Sequence, residues 1–311
     1  MGRYRVIAGQ NIFDVALHLY GSIEGIVDLM MNNPDLSLDT TLAVGQELVY
    51  TDDFVINADV VAYNAARGIV PANGEHHVYP KYPEEQLCVE FHLPATVLNV
   101  SCTASGTGSL EIDWGDNSEI EKIELRNTPL HLSHTFDNTI RGTRRIRWYS
   151  RAEFKTLDWS GLQPDSIFLF HPLRVEELAL RDASVSLEGF RLLDGTYSLN
   201  LSGISTADLT PLAGFRELMT LDMGGGHLKP SVEDAFLYEI VNRYGNRRNC
   251  TVTLPVAPSG IYQEPDRDPE TARYLPASGM ECIWVILHEE SWNEGGPWKF
   301  IIEDKIYTVE S

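Results

Sequence analysis

Four leucines in the middle of the chain, Leu157, Leu178, Leu199 and Leu221, recur at separations of 21, 21 and 22 residues. Each lies in the same local pattern. Phe154-x-x-Leu157-x-Trp159-x-x-Leu162 is followed by Val175-x-x-Leu178-x-Leu180-x-x-Ala183, then by Thr196-x-x-Leu199-x-Leu201-x-x-Ile204 and Leu218-x-x-Leu221-x-Met223. Between these runs a second spacing repeats, in Leu187-x-x-Phe190-x-x-Leu193 and Leu209-x-x-Leu212-x-x-Phe215. Units this short cannot bury an apolar face alone, so they fold only by stacking, with one strand and one return segment per repeat and a different structure closing each end. The pattern predicts parallel strands about 4.8 Å apart with the four leucines stacked inward.

This periodicity resembles leucine-rich repeats. The Asn or Cys that family carries at the ninth position is replaced by Leu162, Ala183, Ile204 and Gly226, so the usual turn-bracing ladder is missing. Upstream, the pattern changes to period two. Leu87, Val89 and Phe91, then Val97, Leu98 and Val100, then Leu110 and Ile112 read as strands separated by Pro94 and by Ser105-Gly106-Thr107-Gly108. Asp113-Trp114-Gly115-Asp116-Asn117-Ser118, followed by Leu132-Ser133-His134-Thr135-Phe136, resembles the PKD-type β-sandwich, with Asn117 in place of a glycine. Asp113, Asp116 and Glu119 lack the alternating oxygens of a calcium loop. Downstream, Ser231 to Tyr244 reads as an amphipathic helix with Ser231 as a candidate N-cap, and Gly279 to Glu290 as another. Thr251 to Leu254 is a strand, and a hairpin is expected around Glu303-Asp304-Lys305. Trp284, Trp292 and Trp298 are expected to fill the core of this cap.

The N-terminal stretch has its own organisation. Tyr4-Arg5-Val6-Ile7 alternates, Ile12, Val15, Ala16 and Leu19 recur at helical spacing, and Ile26, Val27 and Met30 recur similarly before Asn32-Asn33-Pro34. Leu48-Val49-Tyr50 closes the run as a strand. This order, with Tyr4-x-Val6-x-x-Gly9, Tyr20-Gly21, Asn33 and Val44-Gly45-Gln46-x-Leu48, resembles a LysM domain. The resemblance implies a groove for N-acetylglucosamine polymers between Gly9, Gln10, Asn11 and Ile12 on one side and Asn33, Pro34, Asp35 and Leu36 on the other. Gln10-Asn11-Ile12 departs from the acidic–Thr/Ser–Leu signature of that family, and many LysM domains serve as assembly modules that bind no sugar.

A formal charge of -21 excludes a polyanion such as nucleic acid as the expected partner. The local run Arg141, Arg144, Arg145, Arg147 and Arg151 reads as a solvated strand edge. Cys88, Cys102, Cys250 and Cys282 form no Cys-x-x-Cys pair and suit buried thiols; only Cys88 and Cys102 could meet, on adjacent strands. His76-His77 has no third ligand at a recognised spacing, so neither metal nor cofactor is expected. No apolar run reaches the ~18 residues of a membrane helix, and no signal segment precedes the first strand. No nucleophile elbow, zinc-protease helix, phosphate loop or dinucleotide fingerprint is present, and Gly224-Gly225-Gly226 reads as a tight turn.

These readings give a multidomain α+β chain. A small βααβ LysM domain occupies 1–52 and a linker with a short helix 53–85. An Ig/PKD-like β-sandwich follows at 86–152, a short leucine-rich-repeat-like solenoid at 153–255 and an α/β C-terminal cap at 256–311. The expected function is a non-enzymatic structural protein without catalytic residues, a LysM-containing component of a phage tail or phage-tail-like contractile particle. It would be made in the cytoplasm without a signal peptide and assembled with other particle proteins. The alternative is a cell-envelope protein that binds peptidoglycan through LysM and presents the repeats to a partner.

Overall fold

The computed structural model describes residues 1–72, 81–116, 118–136 and 143–309. His76, His77, Asn117 and Arg141 lie outside them. The chain divides into two compact units, Met1–Pro80 and Lys81–Ser311.

In the first unit, β1 (Gly2–Arg5) pairs antiparallel with β2 (Glu47–Tyr50), and between them come α1 (Ile12–Tyr20), a 3₁₀ turn at Ile23–Gly25 and α2 (Ile26–Asn32). α1 begins at a reciprocal capping box: Asn11 Oδ1 accepts from the Asp14 amide at 2.9 Å, and Asp14 Oδ2 accepts from the Asn11 amide at 3.0 Å. It ends at Gly21 with φ +70°, the left-handed geometry glycine adopts without strain. A third helix, α3 (Ala58–Ala66), starts at Asn57, and the amides of Ile56 and Asn57 both donate to the Tyr20 carbonyl. Ile12, Val15 and Ile26 enter the core, but Val27 is 64% exposed and Leu29, one helical turn from Ile26 and Ile12's partner in the cluster, is buried instead. The spacing 26–29 fits the buried face of α2; 26–27 cannot, because consecutive residues point about 100° apart.

The second unit is a β structure. Its strands are β3 (Leu87–Pro94), β4 (Asn99–Thr107), β5 (Ser109–Asp113), β6 (Glu121–Glu124), β7 (Leu130–Thr135), β8 (Thr143–Ser150), β9 (Glu153–Asp158), β10 (Ser166–Leu169), β11 (Leu173–Ala179), β12 (Leu193–Asp194), β13 (Ser198–Asn200) and β14 (Thr220–Asp222). α4 (Pro230–Asn242), β15 (Thr251–Leu254), α5 (Gly279–His288), β16 (Lys299–Ile302) and β17 (Lys305–Thr308) complete it. One sheet has the order β10-β3-β8-β5-β6; the other runs β17-β16-β15-β14-β13-β11-β9-β4-β7, with β12 beside β11.

In the parallel stretch, Leu157, Leu178, Leu199 and Leu221 stand opposite one another in register, and Val252 and Phe300 continue the row. All six are buried. The missing asparagine ladder has a substitute one position after the strand leucine. Asp158, Asn200 and Asp222 each accept, through Oδ1, the amide two residues on, at Ser160, Ser202 and Gly224 (3.0, 3.0 and 2.9 Å). Ala179 cannot do this, and there the Arg181 amide donates to Ser160 Oγ at 2.9 Å.

The expected multidomain α+β fold class is corrected: the chain is mostly β, with three sheets of two, five and ten strands. The sandwich and solenoid segments are not separate layers. β4 pairs antiparallel with β9, covering the open edge of the first repeat strand, and β10, from the return segment of that repeat, pairs with β3 in the opposite sheet. Phe91, Trp148 and Trp159 pack edge-to-face between them, with centroids 5.0–6.0 Å apart, in a cluster that continues to Ile302.

Several local expectations also change. α4 starts at Pro230 after Lys229, so Ser231 lies inside the first turn and is not its N-cap. β8 is an interior strand between β3 and β5, not an edge; Arg144 is fully buried over the Phe136 ring at 3.6 Å, and Arg147 pairs with Glu90 at 2.7 Å. Cys88 and Cys102 belong to different sheets, so they are not on adjacent strands. All four cysteines are free and buried, and burial pushes each thiol up to about 12. Among the described residues no helix is long and apolar enough to cross a membrane.

Candidate functional site

The two loops implied by the LysM resemblance are built mainly from side chains already engaged within the first unit. Gln10 is buried; its Oε1 accepts from the Ile7 amide at 3.0 Å, and its Nε2 donates to Tyr4 Oη and to the Pro71 carbonyl, both at 2.8 Å. Asn11 is the cap of α1, and Ile12 is buried in the core. Asn33 clamps α2 to β2: Nδ2 donates to the carbonyls of Leu29 and Val49, and Oδ1 accepts from the Val49 amide, at 2.8–2.9 Å. Leu36 is buried and donates its amide to the Asn33 carbonyl. Of the eight residues only Gly9, Pro34 and Asp35 are exposed, and among the described residues no hydrogen bond joins one loop to the other. Each loop is therefore rigid, with few polar groups left to meet a ligand.

A neighbouring polar knot explains that rigidity. Asp28 accepts from Tyr20 Oη at 2.7 Å, from Thr51 Oγ1 at 2.7 Å and from the Thr51 amide at 3.0 Å. Burial would push the Asp28 carboxyl up, but the hydrogen bonds from Thr51 and Tyr20 outweigh it and hold the group below the usual carboxylate range. Burial, reinforced by Asp28, pushes the Tyr20 hydroxyl up. Alongside ordinary charged residues, the unit leaves an apolar row exposed. Ile23, Val27 and Met31, at i, i+4 and i+8 along the 3₁₀ turn and α2, are 57%, 64% and 77% exposed. Ile12 and Leu36, two of the groove residues the resemblance implied, are inside the core, while Pro34 is exposed.

In the second unit, the turn after β5 is held by its own acids. Asp113 Oδ1 accepts from the Gly115 amide at 2.9 Å and from Lys81 Nζ at 2.5 Å. Asp116 binds Ser118 through Oδ1 and His134 Nε2 through Oδ2 at 2.6 Å, and the His134 ring stacks on Trp114. These carboxylates already have partners. Among the described residues no group of three or more His, Cys, Asp or Glu is placed to hold a metal ion.

A cleft of about 1030 Å³ opens beside the start of β15, lined among others by Tyr244, Arg247, Arg248, Asn249 and Trp292. The rings of Tyr244 and Trp292 lie parallel, 3.8 Å apart. Of the three tryptophans expected in the cap core, only Trp298 is fully buried; Trp292 faces this cleft. Sequence reasoning passed over it, although the run Tyr244-Gly245-Asn246-Arg247-Arg248-Asn249 is a basic interruption in an acidic chain. Comparison with protein-family models, with curated proteins and with solved structures finds no match.

Proposed function

We propose that the chain is a non-enzymatic assembly protein, a component of a phage tail or phage-tail-like contractile particle, whose LysM-like residues 1–52 contact protein instead of free glycan. The observation that carries this reading is the exposed row Ile23, Val27 and Met31, set beside loops whose amide side chains are already satisfied within the unit. An acetamide-bearing sugar needs free donors and acceptors around an apolar floor; an apolar helix face needs a partner surface that removes it from water. In residues 81–311 the long parallel ladder suits display and stacking, with no carboxylate pair placed for glycoside hydrolysis by any spacing in the sequence.

The test uses the full chain. Co-expression with candidate tail-tube and baseplate proteins should give a co-purifying complex that Val27→Asp or Met31→Asp disrupts. Titration with chitin oligomers and soluble muropeptides should show no saturation at millimolar ligand. Saturable micromolar binding that Asp35→Ala abolishes would overturn the assembly reading in favour of a peptidoglycan-binding envelope protein.

A further inference from the structure

We infer that the cleft beside Tyr244 and Trp292 is a saccharide site that takes a carboxylated sugar of the hexuronic-acid class within an oligosaccharide. This goes beyond the assembly reading, which concerns the first unit.

The charge is the first argument. Arg247 is half-buried; its Nε donates to the Tyr244 carbonyl at 2.9 Å and its Nη2 to the Ala213 carbonyl at 2.7 Å. Those bonds fix the guanidinium without neutralising it, and it has no ion pair with a carboxylate among the described residues. Arg216 stands behind Gly245 and is not itself a lining residue: a Cβ on Gly245 would lie 3.4 Å from its guanidinium, and among the described residues it has no ion pair. Burial pushes the Arg247 pKa down; Tyr244 partly opposes it, and the proximity of Arg216 adds a smaller push in the same direction as burial. In a chain with 45 acidic and 24 basic residues, carboxylates are plentiful, yet among the described residues none forms an ion pair with Arg216 or Arg247. Arg248 is held by Glu217 at 2.6 Å at the exposed rim, and Glu294 is the other acid lining the cleft. A guanidinium pair so placed matches a carboxylate better than a neutral group.

The wall is the second argument. Tyr244 Oη donates to the Trp292 carbonyl at 3.0 Å and accepts from Trp298 Nε1 at 2.8 Å, while Asn249 Nδ2 donates to the Trp292 carbonyl at 2.9 Å. The aromatic pair is thereby held in place before any ligand arrives, which lowers the ordering cost of binding. The same two rings also line a second cleft of about 490 Å³, with Arg267 and Arg273. Two clefts sharing one aromatic wall suit an extended oligosaccharide; Arg267 in the second is paired with Glu264, and Glu289 lines that cleft, so the carboxylate belongs at Arg247. The apolar C–H face of a pyranose covers an aromatic ring, and its hydroxyls find Asn246 and the backbone of Gly295.

Isothermal titration of the full chain with short oligogalacturonate is the test, with its methyl ester as the uncharged control. Saturable binding is expected in the range of about 0.1–1 mM, weakened about tenfold by esterification. Arg216→Gln, an exposed position, should weaken it about tenfold with an unchanged melting temperature, and Trp292→Ala should weaken it as well; Lys229→Gln, remote in sequence and outside this cleft, should not. Absence of saturation at about 10 mM, equal binding of acid and ester, or full affinity in Arg216→Gln would each overturn the inference. None of these results bears on co-purification through Val27 and Met31, so the two readings fail separately.

Discussion

The two units solve the same stability problem by different means. Residues 1–80 have a core of ten buried apolar residues, Val6 to Leu48, and supplement it with polar staples: Asn33 across α2 and β2, Asp28 across Tyr20 and Thr51, and Gln10 out to Pro71. Residues 81–311 rely on a ladder. Six apolar residues from Leu157 to Phe300 repeat along one sheet, and one contiguous cluster runs from Cys88 to Ile302. A small unit has too little interior to hold its loops by burial alone, so directed hydrogen bonds take a larger share. A repeated sheet grows its interior with each strand, so its polar groups can stay at the turns. The difference also separates the candidate surfaces. In the first unit the loop amides are consumed internally and an apolar row stands exposed on α2, whereas in the second aromatic and arginine groups line clefts.

The sharpest way to break this comparison is Leu199→Ala. The residue is fully buried in the middle of the ladder, and its truncation should destabilise by about 2–5 kcal/mol. Hydrogen exchange should quicken in β11 and β14 as well as β13, because each strand depends on its neighbours; a loss confined to β13 would mean that the stack is not cooperative. The counterpart in the first unit is Asn33→Ala. It leaves the backbone groups of Val49 without their partners and should destabilise that unit by about 1–3 kcal/mol, with faster exchange of the Val49 amide and no change in the ladder strands.

Glu233 sharpens the contrast from the other direction. It is fully buried on α4, among the described residues no well-formed hydrogen bond reaches either carboxylate oxygen, and burial outweighs the nearby Val256 backbone and pushes its carboxyl up to about 8. Unfolded, the group titrates near its ordinary value of about 4.3. The folded state therefore holds the proton more tightly, and this group's contribution makes stability fall as pH rises from about 4 to about 8, with no further change above. Glu233→Gln should remove that slope and raise stability at pH 8 by about 1–2 kcal/mol, read by denaturant melts across the pH range. An unchanged slope would mean that the carboxyl is not the source. The smallest effect belongs to Val27→Asp, expected to change stability by under about 0.5 kcal/mol because the side chain is already in water. A large loss would show that this face is packed in solution.

Part of the architecture could be read directly from residue spacing. The separation of Leu157, Leu178, Leu199 and Leu221 placed them in one register, because identical backbone paths bring residues one period apart into line. The caps at Asn11 and Gly21 were readable for the same local reason, since a cap acts within three residues of its own position, whereas Ser231 was displaced as a cap by the helix starting at Pro230. The candidate sites were less legible. Gln10 and Asn33 looked like ligand groups because nothing nearby in sequence shows that Pro71 and Val49 arrive to use them. The Tyr244–Trp292 wall joins residues 48 apart, and no local pattern announces such a meeting.

The amino-acid sequence by itself determined the repeat period, the inward leucines, the helix caps and the acidic balance, since each depends on neighbours along the chain or on composition alone. Tertiary structure decided that β4 seals the first repeat strand and that β10 crosses to the other sheet, merging two expected domains into one β unit. It also decided that Arg144 lies inside and Val27 outside. Those outcomes depend on which edges and faces meet in space, and a strand carries the same alternation whether its partner is ten residues away or fifty.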